Sequence, residues 1–255
     1  MGKRRRFVLV SLVLALGLVV TQWVGVEYRY QAVAMLGGLS YGLCAWALRE
    51  DLRGIEWLMA LLLPALYPVS VGLFYFLLPQ KWFSEVAILG LFGVGMYALL
   101  LTGNIYSVAK GRTIQLIHAA HAIGQLFTLL TSLLLTNTVF SFHLPFWSTM
   151  LLVGIIHWPL IFMSLWSINL EQRITHELLS LSSLLTLILV EFSLILSFLP
   201  ISVWNCALLI MSLMYLGLGL LHNYLRGVLF DNAIREYSLV GILMGIVLVM
   251  VFPWK

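Results

Sequence analysis

The chain has 255 residues, of which 62% are hydrophobic and only 9% charged, and its formal net charge is +4. Soluble domains carry about 25% charged residues because their surface faces water, so this composition excludes an ordinary soluble fold and makes lipid the solvent. The positive excess is accounted for by where the basic residues fall, described below, and gives no nucleic-acid reading.

A bilayer core of roughly 30 Å takes about 20 apolar residues at helical rise. Inside it every backbone polar group must be bonded internally, which leaves helices or closed barrels. Barrel strands alternate apolar and polar residues, whereas a run such as Val8 to Val20 is apolar on every side. The fold expected is therefore all-α, a polytopic transmembrane bundle forming one integral membrane domain. Nine spans are predicted, at 7–26, 31–48, 57–78, 84–105, 113–135, 147–168, 177–199, 202–222 and 237–254.

The first span follows Lys3, Arg4, Arg5 and Arg6, and what comes after it is Thr21-Gln22-Trp23-Val24 rather than a small-residue cleavage site. It is read as a retained helix. Basic residues concentrate on the cytoplasmic side of membranes. With nine spans and a cytoplasmic N-terminus, that side holds those four plus Arg49, Arg53, Lys110, Arg112, Arg173, Arg226 and Arg235. The outer side holds Arg29, Lys81 and Lys255. The expected topology is N-in, C-out, in a bacterial cytoplasmic membrane. Tryptophan prefers membrane interfaces, and Trp23, Trp82, Trp147, Trp204 and Trp254 fall at predicted outer ends. Three outer turns share Leu-Pro followed closely by Trp, at Leu78-Pro79, Leu144-Pro145 and Leu199-Pro200.

Small residues set the expected packing. Gly37 and Gly38 in span two, and Gly90, Gly93 and Gly95 in span four, allow close helix approach. Pro64 and Pro68 interrupt span three, and Cys44 and Cys206 lie inside spans two and eight without forming a CxxC pair. No GxxxxGK[ST] phosphate loop is present, which speaks against ATP-driven pumping by this chain alone. No cofactor is indicated.

Span five carries the densest polar stripe. Gln115, His118, His121 and Gln125 recur at three- and four-residue steps and share one helix face, which Thr128 and Ser132 continue. Such a face points into the bundle or a watery vestibule. His118 and His121 at i, i+3 are weak metal candidates together with His176 and His222, and the spacing supplies no third or fourth ligand. His157 precedes Pro159 in span six, a pairing of an ionisable ring with a helix kink.

Glu191 in span seven is the sharpest intramembrane group. An acidic residue near a helix centre costs about 2.5–3.5 kcal/mol on insertion scales. It is either a proton-coupling or cation-binding carboxyl, or a carboxyl hydrogen-bonded to another helix, with Asn205 of span eight at a comparable depth. On the cytoplasmic side the stretch from His222 to Glu236 mixes apolar residues with Asn223, Arg226, Asp231 and Arg235 and reads as an interfacial helix or an ordinary charged loop. Gly241 and Gly245 form a GxxxG in span nine, a candidate contact with a second copy or a membrane partner.

The overall pattern is similar to that of small polytopic bacterial membrane proteins, a likeness of architecture that covers the whole chain and implies no particular activity. Haem-A-synthase-like and other bis-histidine membrane cytochromes would place histidines near the ends of facing helices, which His118, His121, His176 and His222 mimic only loosely. The EXXXH element expected of the first family is missing. The function expected first is transport or ligand binding through an intramembrane polar cavity lined by Glu191, His157 and the span-five stripe. The alternative is a non-catalytic assembly subunit of a membrane complex, and the third reading is a histidine-metal or haem enzyme.

Overall fold

A computed structural model describes residues 2–50, 52, 54–78, 82–108, 114–170, 174–227 and 231–251, without the side chains of 26, 82–84, 108, 114–115, 231–234 and 251. Among these residues the chain is all-helical, with nine α-helices, one 3-10 turn and no strand. Helices α1 to α4 are Lys3–Trp23, Arg29–Leu48, Glu56–Tyr75 and Trp82–Val108. Helices α5 to α9 are Ile114–Ser141, Phe146–Asn169, His176–Phe198, Val203–Leu225 and Asp231–Val251. The first eight are long and apolar enough to cross a membrane. The ninth expected span falls on α9, and its last residues, 252–254, lie outside the described ones.

Two boundaries differ from the sequence reading by more than four residues. Helix α5 runs six residues past the expected end at 135, because its polar tail bonds to itself. The Thr138 hydroxyl donates to the Leu134 carbonyl at 2.9 Å and that of Ser141 to the Asn137 carbonyl at 2.7 Å. Returning to the i−4 carbonyl satisfies such hydroxyls where lipid offers no water, so polar residues can continue a helix. The stretch 222–236 is not one interfacial helix. Helix α8 continues through Leu225, Gly227 takes φ +68°, and Asp231 opens α9. A left-handed residue just past a helix end is where glycine avoids the Cβ penalty. The break between spans seven and eight falls where expected, at Leu199 to Ser202, and the Ser202 hydroxyl accepts from the Asn205 backbone N–H.

The chain divides into two compact units, Met1–Thr131 and Ser132–Lys255. In the first, α2 packs on α3 at a point that the sequence spaces 24 residues apart. Pro68 has no N–H to offer the Pro64 carbonyl, and the Ser40 hydroxyl donates to that carbonyl at 2.7 Å. Gly37, one turn earlier, brings the backbones together: a Cβ there would lie 2.5 Å from Val69 Cγ2. On the opposite side of α3, the Tyr67 ring stacks on Phe92, with centroids 5.5 Å apart, and meets Phe127 edge-on. Near the start of α1, Arg6 pairs with Glu50 at 2.9 Å. The hydrogen bond from Arg6 holds the Glu50 carboxyl below the usual carboxylate range.

In the second unit α6, α7 and α8 pack on one another through small residues. A Cβ at Gly154 would sit 3.3 Å from Val190 Cγ2, and one at Gly217 would overlap the Leu185 side chain. Lipid tails are as apolar as leucine, so helices here gain by close van der Waals fit and by hydrogen bonds rather than by water release. Tyr237 of α9 covers Gly219 of α8 in the same way.

Candidate functional site

Helix α6 places His157 at the centre of the second unit, with no exposed surface. Its Nδ1 lies 2.8 Å from the Val153 carbonyl one turn back. A carbonyl only accepts, so Nδ1 carries the proton. Nε2 then accepts from the Ser132 hydroxyl of α5 at 2.8 Å, with the Thr136 hydroxyl at 3.4 Å. The ring thus fastens α6 to α5 with both nitrogens used, and Pro159 follows it within the same helix.

The other sequence candidates fall in different surroundings. On the α5 segment of the first unit, His118 is exposed, while His121 and Gln125 are half-buried. The His121 ring lies 5.7 Å from that of Tyr106. Tyr106 in turn donates to the Ala120 carbonyl at 3.0 Å. Thr128 is buried and bonds back to Gly124. The Gln115 side chain lies outside the described residues. In the second unit, His222 is buried with Nε2 at 3.2 Å from Ser164 Oγ, His176 is exposed, and Asn205 is half-buried. Among the described residues no three His, Cys, Asp or Glu side chains gather as metal ligands.

Of the residues expected on the cytoplasmic side, Asn223 hydrogen-bonds the Tyr237 hydroxyl of α9, and Arg226 and Arg235 are exposed. The Asp231 side chain lies outside the described residues. Gly241 approaches Leu216, and Gly245 meets nothing within 4 Å.

Glu191 is exposed and makes no hydrogen bond or ion pair among the described residues, Asn205 included. The sequence holds a signal for this placement in the small polar residues of α7. Ser182, Thr186 and Ser193 are buried together with Leu178, Leu185, Leu189 and Leu196. Small and hydroxylated residues mark packed faces in membranes. At about 100° per residue, Glu191 lies about 180° from the centre of that face. Around it Leu184, Leu187, Ile188, Ile195 and Phe198 are exposed, by 41% to 68%. Along α7 these residues recur at three- and four-residue steps, the spacing that lets two helices interlock. The arrangement is an apolar helical stripe with a single carboxyl in it, about 10 Å by helical rise from the end of the helix at Phe198.

No protein-family model matches the chain, and no curated protein or solved structure matches it.

Proposed function

We propose that this integral membrane protein is an assembly subunit that docks a transmembrane helix of another protein along the Glu191 face of α7, in a bacterial cytoplasmic membrane with its N-terminus inside. The observation that carries this reading is the position of Glu191, on the face of α7 opposite its packed one. A carboxyl facing lipid is costly, and intramembrane ionisable groups are normally turned toward protein or water. A partner helix removes that cost by placing a donor against the carboxyl.

The partner's chemistry follows from charge complementarity. Within the eight candidate spans, basic residues occur only in the first turn of α1 and at Arg29, the first residue of α2. A second copy therefore brings no guanidinium or ammonium to the depth of Glu191. The partner helix carries its own lysine, arginine or amide donor at that level, with small or apolar residues one turn to either side. Docking is favoured over a transport path because His157 is spent on joining α5 to α6, with Ser132 and the Val153 carbonyl as its partners.

The test is a photo-reactive residue placed at Ile188 and, as a control, at Leu12 on the exposed side of α1, each in the full-length chain in its native membrane. The expected result is a discrete protein adduct at Ile188 and lipid adducts alone at Leu12. Lipid adducts alone at both positions would sink the docking reading.

A further inference from the structure

At one end of the first unit, where α1 and α3 finish and α4 begins, a cavity of about 230 Å³ opens between the three helices. A single water needs about 10–15 Å³ of such space, so there is room for a polar group of several heavy atoms. Its apolar side is formed by Leu18 and Leu89, and its polar side by Gln22, Tyr75 and Glu85, with Trp23 at the rim. The Tyr75 hydroxyl donates to the Glu85 carboxylate. That fixes the carboxylate while leaving most of its acceptor capacity open. The Gln22 Nε2 is buried and has no hydrogen-bond partner. A buried donor left unmade is costly, and because Gln22 lines the cavity, a turn of its amide brings that donor to a group bound there, opposite the Glu85 carboxylate.

Cavity, orphan donor and spare carboxylate together describe a zwitterion. The level is also informative, because Trp23 and Tyr75 end their helices where headgroups lie and aromatic rings collect. We propose that this cavity binds the headgroup of an ethanolamine phospholipid. The primary ammonium donates to Glu85, a phosphate oxygen accepts from the Gln22 amide once it turns into the cavity, and an acyl chain runs along Leu18 and Leu89. A trimethylated choline headgroup has no N–H to give Glu85, and a glycerol headgroup brings no cation. Selection is therefore for the primary ammonium.

The experiment uses the full-length protein in nanodiscs containing equal parts of dioleoyl phosphatidylethanolamine, phosphatidylcholine and phosphatidylglycerol. Lipid retained after detergent release is counted by native mass spectrometry. The expected result is one ethanolamine lipid retained at least tenfold over either competitor, with the preference abolished in Glu85→Gln and reduced in Gln22→Leu. Both variants are compared at an unchanged melting temperature and elution volume; if Glu85→Gln melts early, Gln22→Leu carries the comparison. Equal retention of the three lipids, or an undiminished preference in both variants, overturns the proposal. Displacement of the bound lipid by micromolar soluble phosphoethanolamine would assign the site to a water-borne zwitterion and overturn the lipid assignment.

Discussion

Replacing His157 with alanine is expected to lower the stability of the purified protein by about 2–3 kcal/mol, read as an earlier thermal unfolding transition in detergent. Two terms add. Removing a fully buried ring leaves a cavity that close-packed neighbours fill only in part. In lipid the water-transfer part of the usual cost is absent, so the lost van der Waals contacts dominate. The second term is the interhelical bond from Ser132, in a setting where such bonds are worth about 0.6–2 kcal/mol. His157→Phe separates them. Phenylalanine refills the space, and Ser132 turns to the Thr128 carbonyl on its own helix, as Thr128 already does to Gly124. That variant is expected to lose about 1 kcal/mol. A wild-type transition in His157→Ala would show that the ring does not join α5 to α6.

The spans were legible because lipid imposes a length and a composition on every one of them. The turn at Pro200 was legible for the same reason: the run from Glu177 to His222 is too long for one crossing, and its one proline, which lacks an N–H, marks where the break costs least. The far end of α5 was not, since Thr136, Asn137 and Thr138 read as a polar exit, whereas Thr136 reaches His157 of α6, Thr138 bonds back to the Leu134 carbonyl and the Asn137 carbonyl accepts from Ser141. The pairing of Ser40 with the Pro64 carbonyl could not be read either, because it joins residues far apart in sequence. The outward direction of Glu191 was available in principle from the spacing of Ser182, Thr186 and Ser193. It was obscured because leucine and isoleucine occupy both faces of α7, and hydrophobicity alone gives such a helix no phase. His157 was identified as a kink-side ring, but its partners on α5 come from the packing of two helices and from nothing in its own segment.

Glu191→Leu is expected to lower recovery of the partner protein with the affinity-purified chain by about three- to twentyfold, the range set by one interhelical hydrogen bond of up to about 1.7 kcal/mol. Glu191→Gln, which keeps an acceptor oxygen but replaces the carboxyl with an amide, is expected to fall between the parent and Glu191→Leu. The direction of the stability change makes this more than a test of folding. Leucine relieves an insertion cost of about 2.5–3.5 kcal/mol, so the variant should accumulate in the membrane at least as well as the parent while losing its companion. A carboxyl with a purely structural role inside this chain would behave oppositely, with reduced accumulation and no selective loss of a second protein. Equal recovery of the partner across all three forms would remove Glu191 from the interface.

The measurement that reaches the docking reading most directly is native mass spectrometry of complexes ejected from the membranes in which the protein is made, with no purification in between. The account predicts a heteromer in which this 28.8 kDa chain is joined by a second polypeptide with at least one transmembrane helix, and loss of that species in Glu191→Leu. Detection of the chain alone, or only with further copies of itself, would contradict it.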